Sequence, residues 1–178
     1  MFTLKLDEIP EEGLDLKWQE QRASLLAYVK GLSRIDFDFE TPLQAEVKIE
    51  KAGRSVMITG RVEATLRFQC VRCLKEFSYP LSTTFELTLH PLKDAPSEEE
   101  TELENEELES SFFEGEEIHL SEIACEQIFL EIPYQPVCQE GCKGLCPVCG
   151  KDLNLSSCGC VKEEPASAFS ALKKLKLD

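Results

Sequence analysis

Val56-Met57-Ile58-Thr59-Gly60-Arg61-Val62-Glu63-Ala64-Thr65-Leu66-Arg67-Phe68-Gln69-Cys70-Val71-Arg72-Cys73 decides the architecture, because its apolar side chains recur at every second position and the run ends in a cysteine pair. A period of two puts Val56, Ile58, Val62, Ala64, Leu66 and Phe68 on one face of a strand and Arg61, Glu63, Thr65 and Arg67 on the other. Gly60 interrupts the apolar series and is expected to mark a bulge. Beyond the cysteines, Phe77, Tyr79, Leu81, Phe85, Leu87 and Leu89 alternate in the same way. The two segments predict a long antiparallel hairpin with Cys70-Val71-Arg72-Cys73 at its tip. Pro80 has no N–H to give a ladder, so the returning strand is expected at an edge.

Towards the N-terminus, Ala45, Val47 and Ile49 alternate up to a turn at Lys51-Ala52-Gly53-Arg54, and Ile35, Phe37 and Phe39 form a shorter strand ended by Pro42. Leu16 to Val29 reads as an amphipathic helix, with Trp18, Arg22, Leu25, Leu26 and Val29 on one side and Gly31 as its stop. Towards the C-terminus, Glu117-Ile118-His119-Leu120 reads as an extended entry to a helix over about 122–132, with Ser121 as N-cap and Pro133 as stop. Its stripe of Ala124, Cys125, Ile128, Phe129 and Ile132 makes Cys125 a small core hydrophobe.

The net charge of -15 belongs to one segment. Residues 94–117 hold twelve of the 34 acids and no base, leaving 22 acids against 19 bases elsewhere. Its middle is too charged and too poor in apolar residues to pack, which predicts a flexible, solvated acidic loop over about 94–117. A sharper reading is an arm that holds a basic partner, a ribosomal protein being one example, or mimics a phosphate backbone. The first thirty residues have no basic region followed by an apolar one, and no apolar run approaches membrane-spanning length. The expectation is a cytoplasmic protein without a membrane partner, whose clustered cysteines serve metal binding rather than disulfides.

Eight of the nine cysteines form four close pairs: Cys70 with Cys73, Cys138 with Cys142, Cys146 with Cys149, and Cys158 with Cys160. Tetrahedral zinc takes four thiolates, and two residues a knuckle apart supply half a shell without long-range chain closure. From Cys138 to Cys160 the sizeable apolar side chains are only Leu145, Val148, Leu153 and Leu155. So small a core needs a metal or crosslinks, and zinc binding at about 10 to 16 kcal/mol is ample to order it. The pairs combine into two sites in three ways. The favoured assignment joins Cys70 and Cys73 to Cys138 and Cys142, and Cys146 and Cys149 to Cys158 and Cys160. Joining Cys138 and Cys142 to Cys146 and Cys149 is the main rival. One or two structural zinc ions are expected; iron stays open, since Cys146-Pro147-Val148-Cys149-Gly150 also resembles a rubredoxin knuckle.

The fold expected is α+β: an antiparallel β-meander body with a few helices over 1–136, a small cysteine-rich zinc-knuckle module over 137–162, and a helical tail over 163–178. The tail carries Phe169, Leu172 and Leu175 on one side and Lys173, Lys174 and Lys176 near its end.

Phe68-Gln69-Cys70-Val71-Arg72-Cys73-Leu74, then Glu131-Ile132-Pro133, then Cys138 and Cys142-Lys143-Gly144-Leu145-Cys146-Pro147-Val148-Cys149-Gly150, with Asn154 and Cys158-Gly159-Cys160, together resemble the YceD family, the large ribosomal RNA subunit accumulation proteins. The resemblance covers most of the chain. It implies a bacterial or organellar factor needed for large-subunit ribosomal RNA to accumulate or be processed, and it supplies no catalytic residues. Some family members keep the first cysteine pair and a later one but lack the Lys-Gly-Leu-Cys module.

Two functions compete. The first is a non-enzymatic ribosome biogenesis factor that binds large-subunit RNA or a basic ribosomal protein, with Arg61, Arg67, Arg72, Lys75, Lys143 and Lys151 available to phosphate. The second is a thiol-disulfide or rubredoxin-like redox protein. A redox Cys-x-x-Cys is expected where a strand feeds a helix, and no helical period follows Cys73. His90 and His119 are the only histidines and build no triad, and no glycine loop cradles phosphate or points to a small-molecule substrate.

Overall fold

The computed structural model describes residues 2–29, 37–94 and 110–161. In chain order its elements are β1 (Leu4–Lys5), β2 (Leu14–Glu20), α1 (Arg22–Val29), β3 (Phe37–Phe39), β4 (Leu43–Ala52), β5 (Ser55–Gln69), β6 (Glu76–Pro91), β7 (Ser110–Phe113), β8 (Glu117–Ile118) and α2 (Leu120–Leu130). The large sheet has the order β2-β4-β5-β6-β7, with β3 paired to β5 beyond the end of β4, while β1 and β8 form a two-stranded ribbon.

The hairpin expected from the alternation is the spine of this sheet. Val56 faces Leu89, Ile58 faces Leu87, and Phe68 faces Phe77, so both apolar series line one face. On the other side of β5, Ala45, Val47 and Ile49 stand opposite Val62, Gly60 and Ile58. The turn between β4 and β5 is tight, with Gly53 at φ 66°. Leu25, Phe39, Leu43, Leu66, Phe68 and the α2 residues Ala124, Cys125 and Ile128 make one buried cluster. Leu4, Ile9, Ile49, Ile58, Leu89, Phe113 and Ile118 make a second one. The predicted core face of the later helix is therefore observed, with Cys125 in it. Pro80 pairs with Thr65 of β5, while β7 reaches only Thr88 to Pro91, so the proline sits on a stretch of β6 with no outer strand among the described residues.

Four expectations are corrected. Leu16 to Val29 is half strand and half helix. Leu14, Leu16, Trp18 and Glu20 point inward from β2 opposite Ile49, Val47, Ala45 and Leu43, and only from Arg22 does the chain turn helical. Glu20 hides the alternation because it is a buried carboxylate, and the Ser121 hydroxyl that donates to it lies 101 residues away. The same contact removes Ser121 from the cap: it is the second residue of α2, buried, and His119 holds the N-cap position. Gly60 marks no bulge, since its register runs unbroken between Val47 and Phe85. A Cβ there would lie 2.6 Å from Val47 Cγ1 and 2.9 Å from the Glu46 carbonyl oxygen, so glycine serves close strand approach.

The fourth correction concerns the acidic loop and the meander together. Ser110–Phe113 pairs in parallel with β6, Phe113 is buried, and Glu117 and Ile118 pair with Lys5 and Leu4. The last part of the 94–117 segment is thus ordered, and among the described residues the sheet is antiparallel except for this returning strand. Residues 95–109, the tail beyond 161 and the strand position Ile35 lie outside the described residues.

Candidate metal centre

Cys70 and Cys73 lie in the hairpin tip between the end of β5 and the start of β6, beyond the end of the sheet. The knuckle closes on itself: the Cys70 N–H donates to the Lys75 carbonyl at 2.9 Å and the Leu74 N–H to the Cys70 carbonyl at 2.9 Å. This return places Leu74 at φ 59°, a left-handed conformation unusual for a leucine. The Val71 N–H then donates to the Pro136 carbonyl at 3.0 Å, drawing the segment after α2 across the hairpin tip. Arg72 Nη1 donates to the carbonyls of Glu140 at 3.3 Å and Cys142 at 3.0 Å, fixing the loop that carries the second pair.

Cys70, Cys73, Cys138 and Cys142 meet as a result, their sulfurs all within 4.8 Å of one another. Cys70 Sγ lies 3.8 Å from Cys142 Sγ, and Cys73 Sγ 3.7 Å from Cys138 Sγ. Four sulfurs about 2.3 Å from a common tetrahedral centre are separated by about 3.8 Å, whereas a disulfide needs about 2.05 Å. The donor set and its spacing fit a closed tetrathiolate site. Phe77, Val137 and Leu145 pack around it, and three of the four cysteines are buried.

Cys146, Cys149, Cys158 and Cys160 form the second quartet, again with sulfurs within 4.8 Å of one another. Its knuckle repeats the first bond for bond. The Cys146 N–H donates to the Lys151 carbonyl at 2.8 Å, the Gly150 N–H donates to the Cys146 carbonyl at 2.8 Å, and Gly150 takes the left-handed place at φ 72°. Here Cys146 is buried, Cys158 half-buried, and Cys149 and Cys160 exposed. The structure brings the eight predicted cysteines together in the favoured pairing and leaves Cys125 apart, in the core, where burial and then Glu20 push its thiol up to about 12.

The sulfur electrostatics follow from crowding and from backbone donors. Burial raises the Cys70 thiol, but amides of Cys138, Cys73 and Arg72 outweigh it and hold the group at about 6. Backbone amides of Cys149 and Val148, then the Cys158 side chain, hold Cys146 at about 6. Conversely, burial and the neighbouring sulfurs push Cys138 up to about 12, and the sulfurs of Cys149 and Cys158 do the same to Cys160. Four thiolates repel one another; a bound divalent cation reverses that balance.

The quartets are joined by backbone. The Leu145 N–H donates to the Arg72 carbonyl at 3.0 Å and the Leu153 N–H to the Gly144 carbonyl at 3.0 Å. Gly144 has φ 72°, and a Cβ there would lie 2.8 Å from the Arg72 oxygen. Asn154 reaches across with its side chain, its Nδ2 lying 3.5 Å from Cys142 Sγ. Sequence reasoning missed these roles of Arg72, Leu74 and Asn154; the signal available was that Arg72 stands inside a cysteine pair, Leu74 directly after it, and Asn154 in the loop between two further pairs.

Of the six expected phosphate contacts, Arg61 binds Ser82 and Glu63, Arg67 binds Asp38, and Arg72 binds carbonyls. Lys75, Lys143 and Lys151 are exposed. His90 Nδ1 pairs with Ser55 Oγ at 2.7 Å and His119 Nδ1 with Thr3 Oγ1 at 3.3 Å. No helix among the described residues is long and apolar enough to cross a membrane.

Comparison with known proteins returns a family model described as large ribosomal RNA subunit accumulation protein YceD, which matches residues 58–176. An uncharacterized protein of Mycobacterium tuberculosis is 33% identical over 124 residues, covering 69% of this chain and 57% of the relative. One from Mycobacterium leprae is 26% identical, covering 69% of this chain and 54% of the relative. A chloroplastic large ribosomal RNA subunit accumulation protein YCED homolog of Arabidopsis thaliana is 24% identical over 199 residues, covering 98% of this chain and 61% of the relative. The chain thus spans a little over half the length of these curated relatives. No solved structure matches it significantly.

Proposed function

The chain belongs to the YceD family, and from that premise we propose that it supports the accumulation of large-subunit ribosomal RNA as a non-enzymatic, cytoplasmic binding factor whose two cysteine quartets hold structural zinc. One observation carries the metal half of this reading: eight cysteines gather into two quartets, with opposed sulfurs in the first at the 3.7 and 3.8 Å that a tetrahedral shell requires. Zinc, when bound, supplies four sulfur bonds that fix the loops and leaves no open position for a water or substrate. The chain's own residues do the rest. Arg72 and the knuckle amides orient the ligand loops, and the exposed Lys75, Lys143 and Lys151 offer point charges to an RNA backbone beside the quartets. The overall charge of -15 opposes non-specific attraction, so RNA binding must come from local contacts.

The redox alternative finds less support, because Cys70 and Cys73 lead into β6 rather than into a helix whose dipole would activate a thiol. Two experiments separate the readings. Cells lacking the protein are expected to show a lowered ratio of large- to small-subunit ribosomal RNA, restored by the wild-type chain and not by Cys70→Ser/Cys142→Ser. Full restoration by that variant would refute a structural role for the first quartet. In vitro, binding to large-subunit RNA should weaken steeply as salt rises. A flat response with retained binding to a basic ribosomal protein moves the role to protein chaperoning, and rapid labelling of Cys70 or Cys73 by a thiol reagent in metal-loaded protein moves it to redox chemistry.

A further inference from the structure

Asn154 belongs to one cysteine quartet by sequence and to the other by contact. It stands between Cys149 and Cys158, yet its Nδ2 donates to Cys142 Sγ of the hairpin-tip quartet at 3.5 Å. Its Oδ1 accepts from the N–H of Lys143, the residue after Cys142, at 2.8 Å. Asp152 Oδ1 fixes the amide from the other side, accepting from Asn154 N at 2.8 Å and from Nδ2 at 2.7 Å. These partners permit one amide orientation only. Turned over, the asparagine oxygen would face a carboxylate and a sulfur while its NH2 met a backbone donor.

The loop that presents Asn154 has little apolar packing of its own, since Leu155 is 84% exposed and Leu153 half-buried. Its position depends on Cys146 and Cys149 before it and Cys158 and Cys160 after it being held together. The reverse dependence exists too. Leu145, beside Cys146, donates to the Arg72 carbonyl between Cys70 and Cys73, so the first knuckle sets where the second quartet begins.

We propose that Asn154 is a positioning residue that makes the two metal sites cooperative. A cation in the second quartet orders the 149–158 loop, which places an N–H donor on a thiolate of the first. By linkage, a cation in the first quartet strengthens the second by the same factor. The inference rests on reading the quartets as metal sites. A supporting donor of this kind is worth about 10- to 100-fold in metal affinity.

The test titrates the reduced, metal-free full chain with Co2+, following the sulfur-to-cobalt charge-transfer band while native mass spectrometry counts bound ions. Wild-type protein should pass from zero to two ions with little of the one-ion species. Asn154→Asp keeps the acceptor for Lys143 but turns an oxygen towards the sulfur, and Asn154→Ala removes both contacts. Either should let the one-ion species accumulate and weaken Cys70/Cys73/Cys138/Cys142 by about 10-fold or more. Cys149→Ser/Cys160→Ser should weaken that quartet by a similar factor, and adding Asn154→Asp to it should change little further. An unchanged circular dichroism signal from the sheet shows the variants folded. Independent binding of two ions in wild type, unaffected at Asn154, would overturn the coupling while leaving both metal sites standing. Absence of any charge-transfer band would overturn the metal reading and the coupling with it.

Discussion

Leu74 and Gly150 hold equivalent places in the two knuckles, each at a positive φ four residues after the first cysteine of its pair. An L-residue in this conformation costs about 1–2 kcal/mol that glycine avoids, and Leu74 recovers little of it by burial, being 54% exposed. Leu74→Gly should therefore raise the thermal midpoint of the metal-loaded protein, and Gly150→Leu should lower it; unchanged midpoints would contradict the shared geometry. Acid acts on the ion pair at Asp38. Arg22 pairs with Asp38 through Nε at 2.7 Å and also through Nη2, and Arg67 adds a contact at 3.3 Å. The Arg22 hydrogen bond is the main cause holding the Asp38 carboxyl below its ordinary 3.8, against the opposing effect of burial. A folded-state value below the unfolded one means that this contribution is complete above about pH 4 and is lost as pH falls through the depressed value. Arg22→Gln should move Asp38 upward in an NMR titration and flatten the acid limb of the stability curve.

At the scale of elements, the β5–β6 hairpin was legible because its apolar and polar faces alternate over more than a dozen residues, and period two admits no helix. Leu14–Glu20 was not. Leu16, Trp18, Arg22, Leu25, Leu26 and Val29 satisfy a helical stripe, and the inward Glu20 conceals the strand until Ser121 is seen beside it. The parallel return of β7 had no local signal beyond Phe112-Phe113 at the end of an acidic run, and its partner lies across a long connection. At Gly60 the sequence suggests a bulge because it reports the missing side chain and not what crowds it. Gly60→Ala pushes a methyl against Val47 and the Glu46 carbonyl, so it should cost about 1–3 kcal/mol in urea unfolding without changing metal content. An unchanged midpoint would mean that β4 and β5 separate more easily than their spacing implies.

For the whole molecule, stability divides between two sources. The sheet and α2 close over two buried apolar clusters, whereas the cysteine-rich segment has Val148 60% and Leu155 84% exposed and, in the proposed reading, is held by metal-bound sulfur. The cysteine quartets were readable from the chain because pair spacing is local, while their mutual bracing through Arg72, Gly144 and Asn154 required the fold. Removing metal with a strong chelator under reducing conditions should strip amide-exchange protection from residues 138–161 and leave β4, β5 and β6 protected. Loss of the whole sheet together with that segment would show that the two parts fold as one unit. In the proposed reading eight thiolates are architecture around two cations, and native mass spectrometry of protein purified without added metal counts those cations. The predicted mass carries two zinc ions. A metal-free mass, or one reduced by two hydrogens for each disulfide formed, would contradict it.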